Sequence, residues 1–244
     1  MSINHASPDP QPLPVAILAG GLATRLRPIT ERIPKALVEV AGRPFIAWQL
    51  ELLAGYGVRE VVLCIGYLGE MLEAEVGDGA PYGLRVRYQY DGPRLLGTGG
   101  AIRQALPLLG EAFQVLYGDS YLPIDYAAVG RAFRESGQAG LMTVFHNRGQ
   151  WDTSNVEFDP AAGRIVTYDK HHRTPAMEYI DYGLSAFRAD VFAAYGDEPF
   201  DLARVQHELA ARGELAGFVA PERFYEIGSH EGLAELDRKL ASGT

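Results

Sequence analysis

Apolar residues recur along this chain in two alternating rhythms. Val15–Ala19, Glu60–Ile65, Phe113–Tyr117 and Gly140–His146 are short runs dominated by Val, Ile, Leu and Phe. Such continuous runs suit strands covered on both faces. Leu84–Tyr90 alternates and predicts a further strand. Between the runs the period lengthens, predicting helices over Pro44–Ala54, Leu68–Glu75, Thr98–Leu109 and Tyr126–Glu135. On the first of these, Phe45, Trp48, Leu52 and Leu53 are expected to share the packed side. Alternation of strand and helix implies an α/β fold with a mostly parallel sheet and right-handed crossovers.

Beyond residue 150 the rhythm changes. Ser154–Phe158, Arg164–Asp169 and Ile180–Phe187 predict short strands with fewer helices between them. A helix over Leu202–Arg212, a strand over Ala216–Ala220 and a helix over Glu231–Leu240 follow. There is no internal repeat and no long linker, so residues 14–244 are expected to form one domain. Its two halves are 14–150 and 151–244. Residues 1–13, carrying Pro8, Pro10 and Pro12, are expected to be a flexible tail.

At 244 residues and 47% hydrophobic content, the chain can bury a sizeable core and is not a disordered one. No apolar run reaches the roughly 20 residues that span a bilayer, and the N-terminus lacks a basic-then-apolar leader, so no membrane partner is expected. The single cysteine, Cys64, lies within an apolar strand and reads as a core thiol, in keeping with a cytoplasmic setting. A net charge of -9 argues against nucleic-acid binding. Positive charge is instead concentrated locally, in Arg25, Arg27, Arg32 and Lys35, which favours a focused anion pocket.

That cluster follows Leu18-Ala19-Gly20-Gly21, where a strand runs into two glycines. Without a Cβ, their backbone N–H groups can approach a polyphosphate closely. Arg25 and Lys35 add fixed charge, arginine through paired hydrogen bonds to phosphate. Asp119 ends the apolar Val115–Tyr117 run, where a carboxylate suits Mg²⁺ better than packing. Glu226, in Phe224-Tyr-Glu-Ile-Gly228, is the candidate second carboxylate. In the open α/β layout, the Leu18–Arg27 loop and Asp119 both fall at strand carboxyl ends and face one crevice. The six histidines have no metal-ligand spacing.

Leu18-Ala-Gly-Gly, Thr24-Arg25-Leu26-Arg27-Pro28 and Pro34-Lys35-Ala36-Leu37 resemble the opening of the sugar-1-phosphate nucleotidyltransferases. The resemblance continues through Gly42-Arg-Pro-Phe45, Leu96-Gly-Thr-Gly-Gly-Ala-Ile102, Gly118-Asp119 and Phe224–Gly228, and so spans almost the whole chain. Within the family, the Arg43–Phe45 and Leu96–Ile102 segments are most similar to heptose-1-phosphate guanylyltransferases, with muramate- and mannose-1-phosphate enzymes close behind. It implies a Rossmann-like three-layer α/β/α fold of the nucleotide-diphospho-sugar transferase type. It also implies Mg²⁺-dependent transfer of a nucleoside monophosphate from a nucleoside triphosphate to a sugar 1-phosphate, for surface polysaccharide or cell-wall precursors. Relatives often self-associate, so a homo-oligomer is possible.

The resemblance makes Arg25, Lys35 and Asp119 the catalytic set, with Asp119 and Glu226 on the metal. The family usually has Asp where this chain has Glu226. Leu18, Ala19, Gly20, Gly21, Thr24, Arg25, Gly99 and Gly100 would bind the nucleotide. Gly99 and Gly100 open a helix, whose N-terminus favours anions, although close helix packing is the competing explanation. Lys170, Asp181 and Gly183 would bind the sugar phosphate. Rival classes lack their motifs: there is no Gly-x-Gly-x-x-Gly after the first strand, no P-loop lysine motif, and one Asp rather than Asp-x-Asp at Gly118-Asp-Ser-Tyr121. The remaining alternative is a catalytically weak nucleotide-sugar-binding regulator.

Overall fold

The computed structural model describes residues 12–21, 24–151 and 153–242. Its elements in chain order are β1 (Val15–Leu18), β2 (Glu39–Val40), β3 (Arg43–Pro44), α1 (Phe45–Gly55), β4 (Glu60–Ile65), α2 (Gly69–Val76), β5 (Arg85–Tyr90), α3 (Gly97–Leu109), β6 (Ala112–Tyr117) and β7 (Ser120–Tyr121). There follow α4 (Tyr126–Ser136), β8 (Gly140–His146), β9 (Val156–Asp159), β10 (Arg164–Tyr168), β11 (Tyr179–Arg188), α5 (Leu202–Ala211), β12 (Leu215–Val219), β13 (Tyr225–Glu226) and α6 (His230–Ala241). Each long strand and helix expected from the pattern forms, with ends displaced by one or two residues. Single 3₁₀ turns at Thr24–Leu26, Ile29–Glu31 and Lys35–Leu37 carry the basic segment.

One nine-stranded sheet runs in the order β5-β4-β1-β6-β11-β8-β12-β10-β9. The β5-β4-β1-β6 portion is wholly parallel. Beyond it the sheet is mixed: β11 is antiparallel to β6 and β8, whereas β8 and β12 are parallel. β9 also pairs with β11 at Val156 and Tyr179, so β11, β8, β12, β10 and β9 close into a ring of pairings. The division at residue 150 is therefore interleaved, since β8 lies between two strands of the second half.

Strand periodicity explains the layering. Val15 and Ile17 of β1, with Val61, Leu63 and Ile65 of β4, enter one core with α1, α2 and α4. Ala16, Val62 and Cys64 enter the opposite core with α3 and α5. Alternate side chains thus serve opposite faces, giving three layers. Each Val or Ile so buried contributes about 1.5–3 kcal/mol, which outweighs any local preference of these short strands. Phe113, Phe187 and Phe192 pack together within the second core in tilted and edge-on pairs, at 5.7–6.5 Å between centroids.

Two expectations need correction. Most of the proposed tail lies outside the described residues, but Leu13 at its end is buried in the first core. On α1 the packed side is Phe45, Ile46, Gln49, Leu50 and Leu53 rather than the Trp48 and Leu52 side. Trp48 is half-buried and packs instead in a small third core with Val40, Phe45, Ile227 and Leu236, where its indole Nε1–H donates to the Val40 carbonyl at 2.8 Å.

Candidate active site

The parallel portion brings its strand ends into line. Leu18 of β1 is in register with Cys64 of β4 and Tyr117 of β6, so three loops leave the sheet at one edge. The Ala19 N–H donates to the Cys64 carbonyl at 2.8 Å and the Gly118 N–H to the Leu18 carbonyl at 3.0 Å, continuing the ladder into the loops. Gly118 is required there, because a Cβ would stand 2.7 Å from the Leu18 carbonyl oxygen. The resulting cavity, about 260 Å³, has Leu18, Ala19, Gly20, Gly21, Lys35 and Asp119 in its walls. Cys64 also lines it, but burial pushes its thiol pKa up to about 12, so it is no nucleophile at neutral pH.

A second cavity, about 490 Å³, opens on the other side of Tyr117 and Asp119. Ser120, Asn155, Lys170, Asp181, Gly183 and Glu226 line it. Asp119 therefore belongs to both spaces. The Lys35 ammonium donates to Asp119 Oδ2 at 2.7 Å, in a half-buried ion pair. Glu226 is delivered by β13, which pairs antiparallel with β7 so that Glu226 stands opposite Ser120. The Ile227 N–H donating to the Asp119 carbonyl at 2.9 Å fixes that register beside the first carboxylate. Ser229 caps α6 through the Gly232 N–H, and Gly232 lets the helix start against the Glu226 carbonyl, where a Cβ would be 2.3 Å away.

Arg25 takes a different place from Lys35. It is exposed and lines neither cavity; its Nη2 lies 3.0 Å from where a Gly228 Cβ would be, and Glu226 Oε1 lies 3.1 Å from the same point. The guanidinium thus flanks the Glu226 side of Asp119, while Lys35 flanks the first cavity. Thr24 starts the first 3₁₀ turn, and its side chain lies outside the described residues. Arg27 is an exposed partner of Glu31 at 3.8 Å and Arg32 is exposed, so neither reaches the cavities.

In the second cavity Asp181 is committed internally. Its Oδ1 accepts from the Gly183 N–H at 3.0 Å and its Oδ2 from the Tyr168 hydroxyl at 3.2 Å. Burial raises its pKa, a shift opposed by the Lys170 charge and by these two hydrogen bonds. Gly183 sits at φ +98°, beside an irregularity in the β11–β8 pairing between Asp181 and Ser185. Lys170 is exposed, with its ammonium 5.9 Å from both the Tyr117 and Tyr168 rings. The turn presenting it is held by Asp169, whose carboxylate accepts from the His171 and His172 backbone N–H groups. Those bonds pull its pKa down to about 2.

Gly99 and Gly100 are not in either cavity wall, and this corrects the nucleotide-contact expectation. Both N–H groups donate to the Phe200 carbonyl, at 2.9 and 3.2 Å. A Cβ on Gly99 would lie 2.3 Å from the Phe200 ring, so the glycine serves close packing. Gly97, Thr98 and Ala101 of the same helix line the first cavity instead.

Two residues at the site went unread in the sequence. Gln49 of α1 is fully buried, and its amide donates to the carbonyls of Tyr117 and Ser120 at 3.1 and 2.7 Å, bracketing Asp119. A glutamine between Ile46 and Leu53 on an apolar helix face was the available signal. Asp91, a buried carboxylate just past β5, lines the first cavity. Its signal is an acid just past the carboxyl end of a strand, although β5 is an edge strand with only Val86 buried.

Among the described residues, no three His, Cys, Asp or Glu side chains form a metal-binding group. Asp119 and Glu226 nevertheless suit magnesium, which typically takes one or two carboxylates and completes its shell with phosphate oxygens and water.

A parallel sheet whose strand ends open on a glycine-lined cavity, with a lysine–carboxylate pair at its mouth, defines a nucleotide-handling α/β enzyme. The chain belongs to the nucleotidyl transferase family, whose model matches residues 15–243. It is 32% identical to an N-acetylmuramate alpha-1-phosphate uridylyltransferase of Caulobacter vibrioides over 236 residues, 92% of this chain and 96% of that protein. A Neisseria meningitidis enzyme of the same description is 43% identical over 113 residues, 46% of this chain and 49% of that one. The mannose-1-phosphate guanylyltransferase of Mycobacterium tuberculosis is 30% identical, and the match covers 92% of this chain but 65% of that protein. HddC from Yersinia pseudotuberculosis, solved with GMP-PN, superposes with a TM-score of 0.76 at 25% identity, over 93% of this chain and 99% of that one.

Proposed function

We propose that this protein transfers a nucleoside monophosphate from a nucleoside triphosphate to a sugar 1-phosphate, releasing pyrophosphate. The nucleotide lies along residues 14–150 and the sugar phosphate along 151–244. The observation that carries this reading is the pairing of β13 with β7, which sets Glu226 beside Asp119 where two cavities meet. Two anionic substrates approached from opposite sides would both reach that point.

In the reaction an oxygen of the sugar phosphate attacks the α-phosphorus. The bond from that phosphorus to the bridging oxygen of the β-phosphate breaks, and pyrophosphate leaves with the electron pair. The nucleophile is already ionised at neutral pH, so no side chain need remove a proton; alignment and charge stabilisation are the whole task. Lys170 and the Gly183 turn hold the sugar phosphate, and Lys35 and Arg25 meet the triphosphate charge. Asp119 and Glu226 would hold magnesium, which when bound draws off charge from the phosphates. Gln49 keeps the Asp119 turn fixed through two carbonyls. The relatives' muramate and mannose 1-phosphate substrates support a product used in cell-wall or surface-polysaccharide precursors, made in the cytoplasm. No helix among the described residues is long and apolar enough to cross a membrane.

The test is a matrix of nucleoside triphosphates against sugar 1-phosphates, with and without Mg²⁺, scored by pyrophosphate release. Turnover with at least one pair, abolished by a chelator, is expected. Nucleotide binding with no pyrophosphate from any pair would establish the regulatory alternative.

A further inference from the structure

Glu226 rides on a short strand, Tyr225–Glu226, paired with Tyr121 and Ser120. A ladder that short is not stable alone. Arg223, just upstream, supplies a second attachment. Its Nη1 and Nη2 donate to the two carboxylate oxygens of Glu235 on α6, at 2.6 and 2.8 Å, and its Nε donates to the Phe224 carbonyl at 3.2 Å. Alternation along the strand puts Arg223 and Tyr225 on one side and Phe224 and Glu226 on the other. Phe224 and Glu226 line the second cavity, while Arg223 lines none of the three cavities at this end of the sheet.

The same guanidinium also reaches the segment that forms the far wall of the second cavity. Its Cζ lies 3.7 Å from the centroid of the Trp151 ring and 4.5 Å from that of Tyr225. Trp151 is 48% exposed and belongs to the connection between β8 and β9, where Thr153 and Asn155 line the cavity. That connection is built around the buried Asn147, whose Oδ1 accepts from the Trp151 N–H at 3.1 Å and whose Nδ2 donates to Ser154 Oγ at 3.0 Å. Among the described residues, Trp151 joins none of the three hydrophobic cores. The cation that Glu235 steadies over its face is what the ring packs on.

We propose that Arg223 is a positioning residue that clamps β13 to the Trp151 segment, so that Glu226 and the Thr153–Asn155 wall keep a fixed spacing across the second cavity. This rests on the nucleotidyl-transfer reading above, in which the sugar phosphate occupies that cavity and Glu226 serves the metal. Arg223 acts on the reaction through Glu226 and through Trp151. Arginine suits the task because a planar guanidinium can lie over aromatic rings while its edge stays paired with a carboxylate. Metal affinity and sugar-phosphate affinity are therefore coupled through one side chain, and triphosphate affinity is not.

The experiment uses the substrate pair found by the matrix and compares wild type, Arg223→Gln, Arg223→Lys, Trp151→Ala and the double variant Arg223→Gln/Trp151→Ala. It measures KM for each substrate and the Mg²⁺ concentration giving half-maximal rate. Mn²⁺ binding without substrates, followed by electron paramagnetic resonance, supplies a readout that needs no turnover. Arg223→Gln is expected to raise the sugar-phosphate KM, the Mg²⁺ requirement and the Mn²⁺ Kd about tenfold each, with KM for the triphosphate within about twofold, the scale of one lost charged contact. Arg223→Lys should not rescue, since an ammonium cannot both stack and fork. Trp151→Ala should raise the same three quantities about threefold and add nothing in the double variant. Unchanged sugar-phosphate KM and Mn²⁺ binding in Arg223→Gln, full rescue by lysine, or additive effects in the double variant overturn the proposal. A loss confined to the melting temperature overturns it too. Trp151→Ala, a surface change, carries the test should Arg223→Gln fail to fold. If wild type turns over no pair, the transfer reading fails, and Mn²⁺ binding to wild type and Arg223→Gln still decides whether Arg223 positions Glu226.

Discussion

The two walls of the cleft are made of different material. In residues 14–150 the wall is rich in small residues: Ala19, Gly20 and Gly21 leave one strand, Gly97 and Ala101 open a helix, and the side chains of Lys35, Asp91 and Asp119 stand among them. In residues 151–244 it is side chains held by other side chains, with Asp181 bonded to Tyr168 and Lys170 standing over two tyrosine rings. Parallel strands in register produce the first kind of wall, because their ends align and hydrogen bonds continue into the loops. The second kind arises where the sheet turns mixed, β11 is irregular between Asp181 and Ser185, and the pairings close into a ring. A backbone wall suits a ligand shared across a family, and a side-chain wall suits one that varies.

The contrast can be broken most decisively at the residue common to both walls. Asp119→Asn should cut pyrophosphate release by at least about 10³-fold, the scale of several kcal/mol of lost charge stabilisation, with an unchanged circular dichroism spectrum. Residual activity near wild type would remove Asp119 from the metal site. On the side-chain wall, Lys170→Ala should raise KM for the sugar phosphate about tenfold or more, the worth of a hydrogen bond to a charged group. KM for the triphosphate should hold steady; a rise there instead would transfer Lys170 to the nucleotide.

Gly99 sharpens the comparison from the backbone side. Gly99→Ala drives a methyl into the Phe200 ring and should cost about 1–3 kcal/mol in urea unfolding. Pairing it with Phe200→Leu should recover part of that loss. Full stability with lost triphosphate binding would restore the ligand-contact role. The smallest effect concerns Asp91 and acid. Its pKa, raised by burial, means that the folded state holds the proton more tightly than the unfolded chain. That contribution to stability is complete below the ordinary carboxylate pKa, about 3.9, and is lost as pH rises through the raised value. Asp91→Asn should therefore melt above wild type at neutral pH, with the gap closing toward about pH 4 in a thermal series.

Much of this was legible because β1, β4, β6 and β8 are buried on both faces and betray themselves as apolar runs. Asp119 stood out as a charge at the end of such a run and Lys35 as part of the basic cluster that follows the first one, and they meet at 2.7 Å. What stayed hidden depends on partners far away in sequence. Gly99 and Gly100 carry the signature of an anion site, yet the acceptor that takes their N–H groups is Phe200, about a hundred residues on. The packed side of α1 was partly misjudged because Trp48 belongs to a small separate core with Val40 and Phe45, and because a buried glutamine looks polar until Tyr117 and Ser120 are seen to use it. Arg25 was grouped with Lys35 by proximity along the chain, but the 3₁₀ turns between them send it to the Glu226 side.

The β7–β13 ribbon has a consequence for biogenesis. A nascent polypeptide carries Asp119 long before Glu226 has been synthesised, and the later strand must zip onto the earlier one before both carboxylates stand together. Until then Asp119 has the Lys35 ammonium as its counter-charge, and the two carboxylates become neighbours only once the chain is complete through β13.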